Sequence, residues 1–276
     1  MRQIVSILLC LFLCVNSYSQ KNRLQLGIGY QRTWIVDQQA SPLKYQTSEK
    51  TFLLGYEHTG NGGKLSARIE GGLGKLAAAD FPGRWLNDPG YNNDGTPKKD
   101  SFPISGKLYN ARVQLGYLKA LSHGYSKLGN GGVHTADYWG GSVSNQLFYT
   151  DNMIRTGWLN TASLNTDYEH TIRFNTRHNI SIKVSIPLFA RNSRLPYHNS
   201  ISSATGDSNI KTFFKQGSRF AWLGNFQNVR VDAQYEYAVG KRMGFGLHYS
   251  GQWLHYSHER PITLFQNNIG VIASIK

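Results

Sequence analysis

Polar and apolar residues alternate one for one in stretch after stretch of this chain. In "NISIKVSIPLF", residues 179–189, Ile180, Ile182, Val184, Ile186 and Leu188 fall on one side of an extended backbone and Asn179, Ser181, Lys183 and Ser185 on the other. Successive Cβ atoms of a strand point to opposite faces, so this period of two specifies a strand with one apolar surface. The pattern recurs in "LQLGIGYQRTW", "TFLLGYEH", "LSARIEGGL", "LYNARVQLGYL", "NVRVDAQYEYAV", "MGFGLHYSGQWLHY" and the terminal "TLFQNNIGVIASIK". Weaker versions lie at 137–149 and 167–174. No segment has a convincing helical period, so the expectation is an all-β chain of about ten strands.

The first 20 residues stand apart. "MRQIVSILLCLFLCVNSYSQ" has Arg2, an apolar run to Val15, then small and polar residues. That is the layout of a cleaved secretory signal, leaving a single domain over 21–276. The run is too short to span a bilayer as a helix. Cys10 and Cys14 both lie in it, so the exported chain has neither a disulfide framework nor a thiolate metal site. Leu11, Phe12 and Leu13 argue against a lipid anchor on Cys14, since small residues are expected there. The formal net charge is +14. In an exported protein this points to anionic lipid headgroups, lipopolysaccharide or acidic glycans rather than to nucleic acid.

One apolar face is common to a soluble β-sandwich and a membrane-spanning barrel. Three features favour the membrane. Most strands reach nine or more residues, matching a tilted crossing of the hydrocarbon layer. Connections alternate between tight turns, "TGNGGK", "NTRHN" and "VGKR", and long links near 35–48, 76–103, 150–165 and 190–225. Two links fit this less well, 122–133 being long for a turn and "SHERP" short for a loop. The polar faces hold charges of both signs, Glu57, Arg68, Glu70, Arg112, Lys183, Arg230, Asp232, Glu236 and His248, able to pair across a narrow filled lumen.

With the leader, the aromatic-ended strands and a last strand running to the C-terminus, the chain resembles the outer-membrane β-barrel proteins of Gram-negative bacteria. Gln20 as a mature N-terminus is similar to those of the Bacteroidota. The resemblance implies an antiparallel transmembrane barrel with short periplasmic turns and long outer loops, inserted by the barrel assembly machinery. Such barrels usually end in an aromatic residue, whereas this chain ends in Ile275 and Lys276.

For function, "HYS" pairs His248 with Ser250, and "HYSHE" repeats the spacing at His255 and Ser257 before Glu259. Some outer-membrane lipid A deacylases and phospholipases use a similar His-x-Ser pair, the histidine activating the serine. Here the strand phase turns His248 and Ser250 towards the polar side, and polar lumen or interface residues are the simpler reading. The link at 190–225 is basic, and Arg191, Arg194, Lys211, Lys215 and Arg219 are candidates for contact with lipopolysaccharide phosphates or a partner. "GYNNDGTPKKD" lacks the ligand spacing of a calcium loop, and no histidine pair has metal-binding spacing, so neither metal nor cofactor is expected. The residues thus favour a non-enzymatic barrel that binds a surface ligand or serves in an envelope assembly, over a lipid hydrolase or a narrow pore.

Overall fold

The computed structural model describes residues 21–276 apart from 39–42, 61, 82, 84, 88–89, 98–100, 104, 129–130, 152–157, 176, 195–208 and 259. The proposed leader, with Cys10 and Cys14, lies outside the described residues. Ten long strands form one closed antiparallel barrel. They are β1 (Lys21–Asp37), β2 (Lys44–Gly60), β3 (Gly63–Ala78), β6 (Ser105–Leu128), β7 (Gly131–Asp151), β8 (Trp158–Phe174), β9 (His178–Arg194), β11 (Phe226–Val239), β12 (Met243–Tyr256) and β13 (Ile262–Ile275). Each pairs with the next, and β13 closes on β1 from Leu24↔Ile275 to Asp37↔Ile262. Two short strands, β4 (Trp85–Asn87) and β5 (Ser101–Pro103), pair inside the link between β3 and β6, and β10 (Ser218–Trp222) extends the sheet along β9.

The alternation seen in the sequence becomes an inside and an outside. Along β6, Val113, Leu115 and Tyr117 lie on the outer wall while Arg112, Gln114 and Gly116 are buried in the lumen. Ile28 is 70% exposed and Ile269 61%, whereas Gln252 and Gln266 are 2% and 3% exposed. An apolar exterior around a polar interior inverts the arrangement of a soluble protein and is that of a transmembrane β-barrel. Aromatics ring the wall near both ends: Trp34, Tyr109, Tyr149, Trp253 and Phe265 towards the long loops, Tyr117, Trp139, Tyr168 and Tyr235 towards the tight turns. Some stack in pairs, with Trp34 and Phe265 centroids 5.7 Å apart and Tyr109 and Tyr149 5.6 Å apart.

The alternation of β9 breaks at Pro187 in a β-bulge. Leu164 pairs with Phe189 and Asn165 with Pro187, so Leu188 has no partner and both Leu188 and Phe189 face outward. Pro187 has no N–H to offer the ladder, which suits it to an interruption. Beyond the bulge β10 takes over the edge of β9 that β11 occupies below it, with Trp222 opposite Phe189.

Three expectations need correction. Residues 122–133 are mostly strand rather than a long link: β6 and β7 stay paired from Ser122↔Asp137 to Leu128↔Gly131, past the point where β3 begins. The links near 35–48 and 150–165 are overestimated, because β2 starts at Lys44 and β8 at Trp158. A helix does exist, α1 (Asn209–Gly217), within the link before β10. At nine residues it is too short to hold itself together in water, so its stability comes from packing Thr212 and Phe213 inward, with Lys215 favourably placed in the last turn.

The outer wall at Val113, midway along the apolar run of β6, makes a direct test. Val113→Arg is expected to cost about 2–4 kcal/mol. Urea titration of the barrel folded into vesicles would show it, and an unchanged midpoint would contradict a lipid-facing wall.

Candidate functional site

The lumen is filled in three storeys. At the end with tight turns, Arg23 bridges Glu57 (2.9 Å) and Glu236 (2.7 Å), and Lys276 adds a second cation to Glu236 at 2.7 Å. Lys64 pairs with Glu169 at 2.7 Å and Lys183 with Asp167 at 2.8 Å. Just above, Arg230 binds Glu70 (2.6 Å) and Asp232 (2.9 Å), and Arg68 reaches the same two carboxylates at 2.5 and 3.4 Å. An Arg68 N–H donates to Nε2 of His248 at 2.6 Å, 3.3 Å from Asp232. Arg112 stands beside Glu70 in the ladder and donates to Gln114.

The middle storey is made of amides and hydroxyls. Glu49, fully buried, accepts from Thr33 Oγ1 at 2.5 Å and from Gln31 Nε2 at 3.0 Å. Gln252 donates to Gln146 across the lumen and to Asn228 on the adjacent strand, each at 2.8 Å. At the end with long loops the lumen turns apolar: Tyr45, Leu76, Leu108, Phe148, Leu159, Phe226, Leu254, Tyr256, Ile262 and Leu264 form one buried cluster. Above it Arg194 is ion-paired with Asp37 and donates to the Arg260 carbonyl at 2.6 Å.

The strand register sets opposite charges side by side on the inner face, and of these neighbours Arg23 and Glu57 are themselves ion-paired. Arg23↔Glu57, Glu70↔Arg112, Glu169↔Lys183 and Lys183↔Asp232 are direct cross-strand neighbours on the inner face. The inner face carries equal numbers of both signs, Arg23, Lys64, Arg68, Arg112, Lys183, Arg194, Arg230 and Lys276 against Asp37, Glu49, Glu57, Glu70, Asp167, Glu169, Asp232 and Glu236, with Glu49 held by Thr33 and Gln31 and Arg112 bonded to Gln114. The chain's net charge of +14 therefore resides elsewhere.

The residues of the two His-x-Ser pairs are dispersed. His248 and Ser250 point into the lumen, 4% and 5% exposed, with His248 held in the Arg68–Asp232 cluster. His255 lies against the outer wall, stacked on Trp253 and bonded through Nδ1 to Thr263 Oγ1 at 2.9 Å. Ser257 is exposed, its hydroxyl directed at the Asn225 carbonyl, and Glu259 lies outside the described residues. Of the five basic loop candidates, Lys211, Lys215 and Arg219 are exposed on α1 and β10 and Arg191 on the outer wall of β9, whereas Arg194 is buried with Asp37. In the loop after β4, Thr96 donates its N–H (3.0 Å) and hydroxyl (2.6 Å) to Asp94, which lowers the Asp94 pKa below its usual value. That is an Asx turn closed by Gly95 at φ 79°. Among the described residues no cluster of three acidic, cysteine or histidine side chains could hold a metal ion.

Sequence reasoning missed Glu49, Gln146, Gln252 and the apolar layer. Their inward phase was legible, but which of them meet across the lumen depends on how the barrel closes.

No protein-family model matches the chain, and no curated protein matches its sequence. Solved structures do resemble it. The outer membrane protease OmpT of Escherichia coli aligns over 95% of this chain and 99% of its own at 8% identity, with a TM-score of 0.43. The toluene transporter TodX of Pseudomonas putida aligns over 92% and 88% at 9% identity and 0.30. The transport unit of the E. coli autotransporter AIDA-I aligns over 94% and 93% at 11% identity and 0.30.

Arg230 tests the importance of the charged storey. Arg230→Ala leaves Glu70 and Asp232 short of a buried cation, a change expected to cost about 3–5 kcal/mol. The urea midpoint of the folded barrel reads it, and a loss below 1 kcal/mol would mean that the cluster is solvated.

Proposed function

We propose that the protein is a closed, non-enzymatic barrel of a bacterial outer membrane that binds an acidic surface polysaccharide through its longest loop. In this reading the tight turns face the periplasm and the long loops face outward, as in bacterial barrels generally. The observation that supports it best is a division of labour. Most lumen charges are paired with one another beneath an apolar layer, while the loop from α1 through β10 exposes both cations and rings. Phe220 is 86% exposed and Trp222 64%, with Leu223 and Phe214 also open, beside Lys211, Lys215 and Arg219. Aromatic faces and cations together suit sugar rings bearing carboxylates or sulfates.

A continuous pore is disfavoured by ion-paired and apolar side chains at successive levels of the lumen. Hydrolysis is disfavoured because the buried His248 is engaged by Arg68 and Asp232, away from the acyl chains outside. Dextran sulfate immobilised on a sensor is the probe. Lys211→Glu, Lys215→Glu and Arg219→Glu combined are expected to weaken its binding at least tenfold, with the boiling-dependent gel shift of the barrel retained. Binding unchanged by these substitutions would overturn the loop assignment. In planar bilayers the protein is expected to show no steady conductance, and discrete, ion-selective steps would favour the pore.

A further inference from the structure

The outer wall holds a second concentration of positive charge that the loop does not include. Residues paired across the ladder run Arg32↔Ser48, Ser48↔Lys75 and Lys75↔Lys107, which sets three cations from β1, β3 and β6 in one row. Lys50 of β2 lies one step nearer the apolar belt, opposite Tyr30 and Leu73. All four cations are exposed on the outer wall, and none forms an ion pair among the described residues. Neighbouring strands are about 4.8 Å apart, so the row spans roughly 15 Å.

This arrangement works against the barrel's own stability. Lys75 and Lys107 are directly opposed, and like charges in that position repel. The carboxylates on these strands offer no relief. Glu49, Glu57, Glu70 and Asp37 all point inward and are engaged there with Thr33 and Gln31, Arg23, Arg230 and Arg194 respectively. On β7, Asp151 stands opposite Lys107 in register.

Immediately below lie Ile28, Tyr30, Phe52 and Leu73 of the apolar belt. Beside the row, Trp34, Val36, Lys44, Thr263 and Phe265 line an open pocket of about 390 Å³ whose surface is almost wholly apolar. The Arg32 guanidinium stands 6.0 Å from the centre of the Trp34 ring, joining row and pocket. Apolar belt, cation row and aromatic pocket follow one another in the order of the acyl chains, the phosphorylated sugars that carry them and the further sugars of a phosphorylated glycolipid.

We infer that the wall formed by β1, β2, β3 and β6 is a binding site for a phosphate-bearing glycolipid of the outer leaflet, with Arg32, Lys50, Lys75 and Lys107 holding the phosphates. The inference rests on the long loops facing outward, as proposed above. A phosphate between Lys75 and Lys107 accepts hydrogen bonds from both ammonium groups and removes their repulsion.

The test uses the full-length exported barrel in detergent and measures lipid binding by native mass spectrometry. Bisphosphorylated lipid A is the probe, compared with its dephosphorylated form, with phosphatidylethanolamine and with inorganic phosphate. Lipid A is expected to bind at least tenfold more tightly than the dephosphorylated form. Lys75→Gln with Lys107→Gln is expected to abolish most of that preference, while the Lys211, Lys215 and Arg219 substitutions leave it intact. Equal binding of both lipid A forms, or full preference in the Lys75/Lys107 variant, would overturn the site. So would saturation by inorganic phosphate alone, or loss of preference in the loop variant only. Because binding is read in detergent, this result is separate from cell fractionation, which tests the outer-membrane assignment itself.

Discussion

Every backbone N–H and C=O that enters hydrocarbon must find its partner within the protein. For strands this forces closure, since an open sheet leaves two unpaired edges. The pairing of β13 with β1 and of β8 with β9 is therefore the condition on which the rest of the structure depends. The interruption at Pro187 and Leu188 falls where β11 leaves β9, and β10 supplies β9 with a new neighbour there.

Closure in turn creates the interior. With ten strands the lumen is narrow, and side chains that alternate inward from every strand meet across it. Charges taken out of water there are tolerable only with partners close by. The Arg230–Glu70–Asp232–Arg68 cluster and the Arg23–Glu236–Lys276 bridge meet that requirement. Towards the loops the same inner face becomes a small hydrophobic core, Leu108, Phe148, Leu254 and Leu264 among its members. Such a layer belongs to a soluble domain more than to a passage for ions. Balanced charges inside leave the surplus of cations to the wall, loops and rims.

Much of this was legible in residue order. Ile180 to Leu188 already declared an outward face, and the inward phase of His248 and Ser250 followed from Phe245, Leu247 and Tyr249. Other elements were not. α1 is too short for a period to emerge, and its stability derives from tertiary burial of Phe213. The continuation of β6 and β7 through 122–133 was obscured because "SHGYSK" lacks clean alternation: once both strands leave the membrane level, one face need no longer be apolar. Arg194 was indistinguishable from Arg191 by sequence, although one is buried against Asp37 and the other exposed.

The sequence by itself determined the period, the strands and the two faces, because side-chain direction in an extended chain depends only on parity. Tertiary structure decided the partners. Whether Lys75 lies opposite Lys107, or Arg23 reaches Glu236, depends on register and closure, which join residues as far apart in the chain as Leu24 and Ile275. No local pattern encodes that distance.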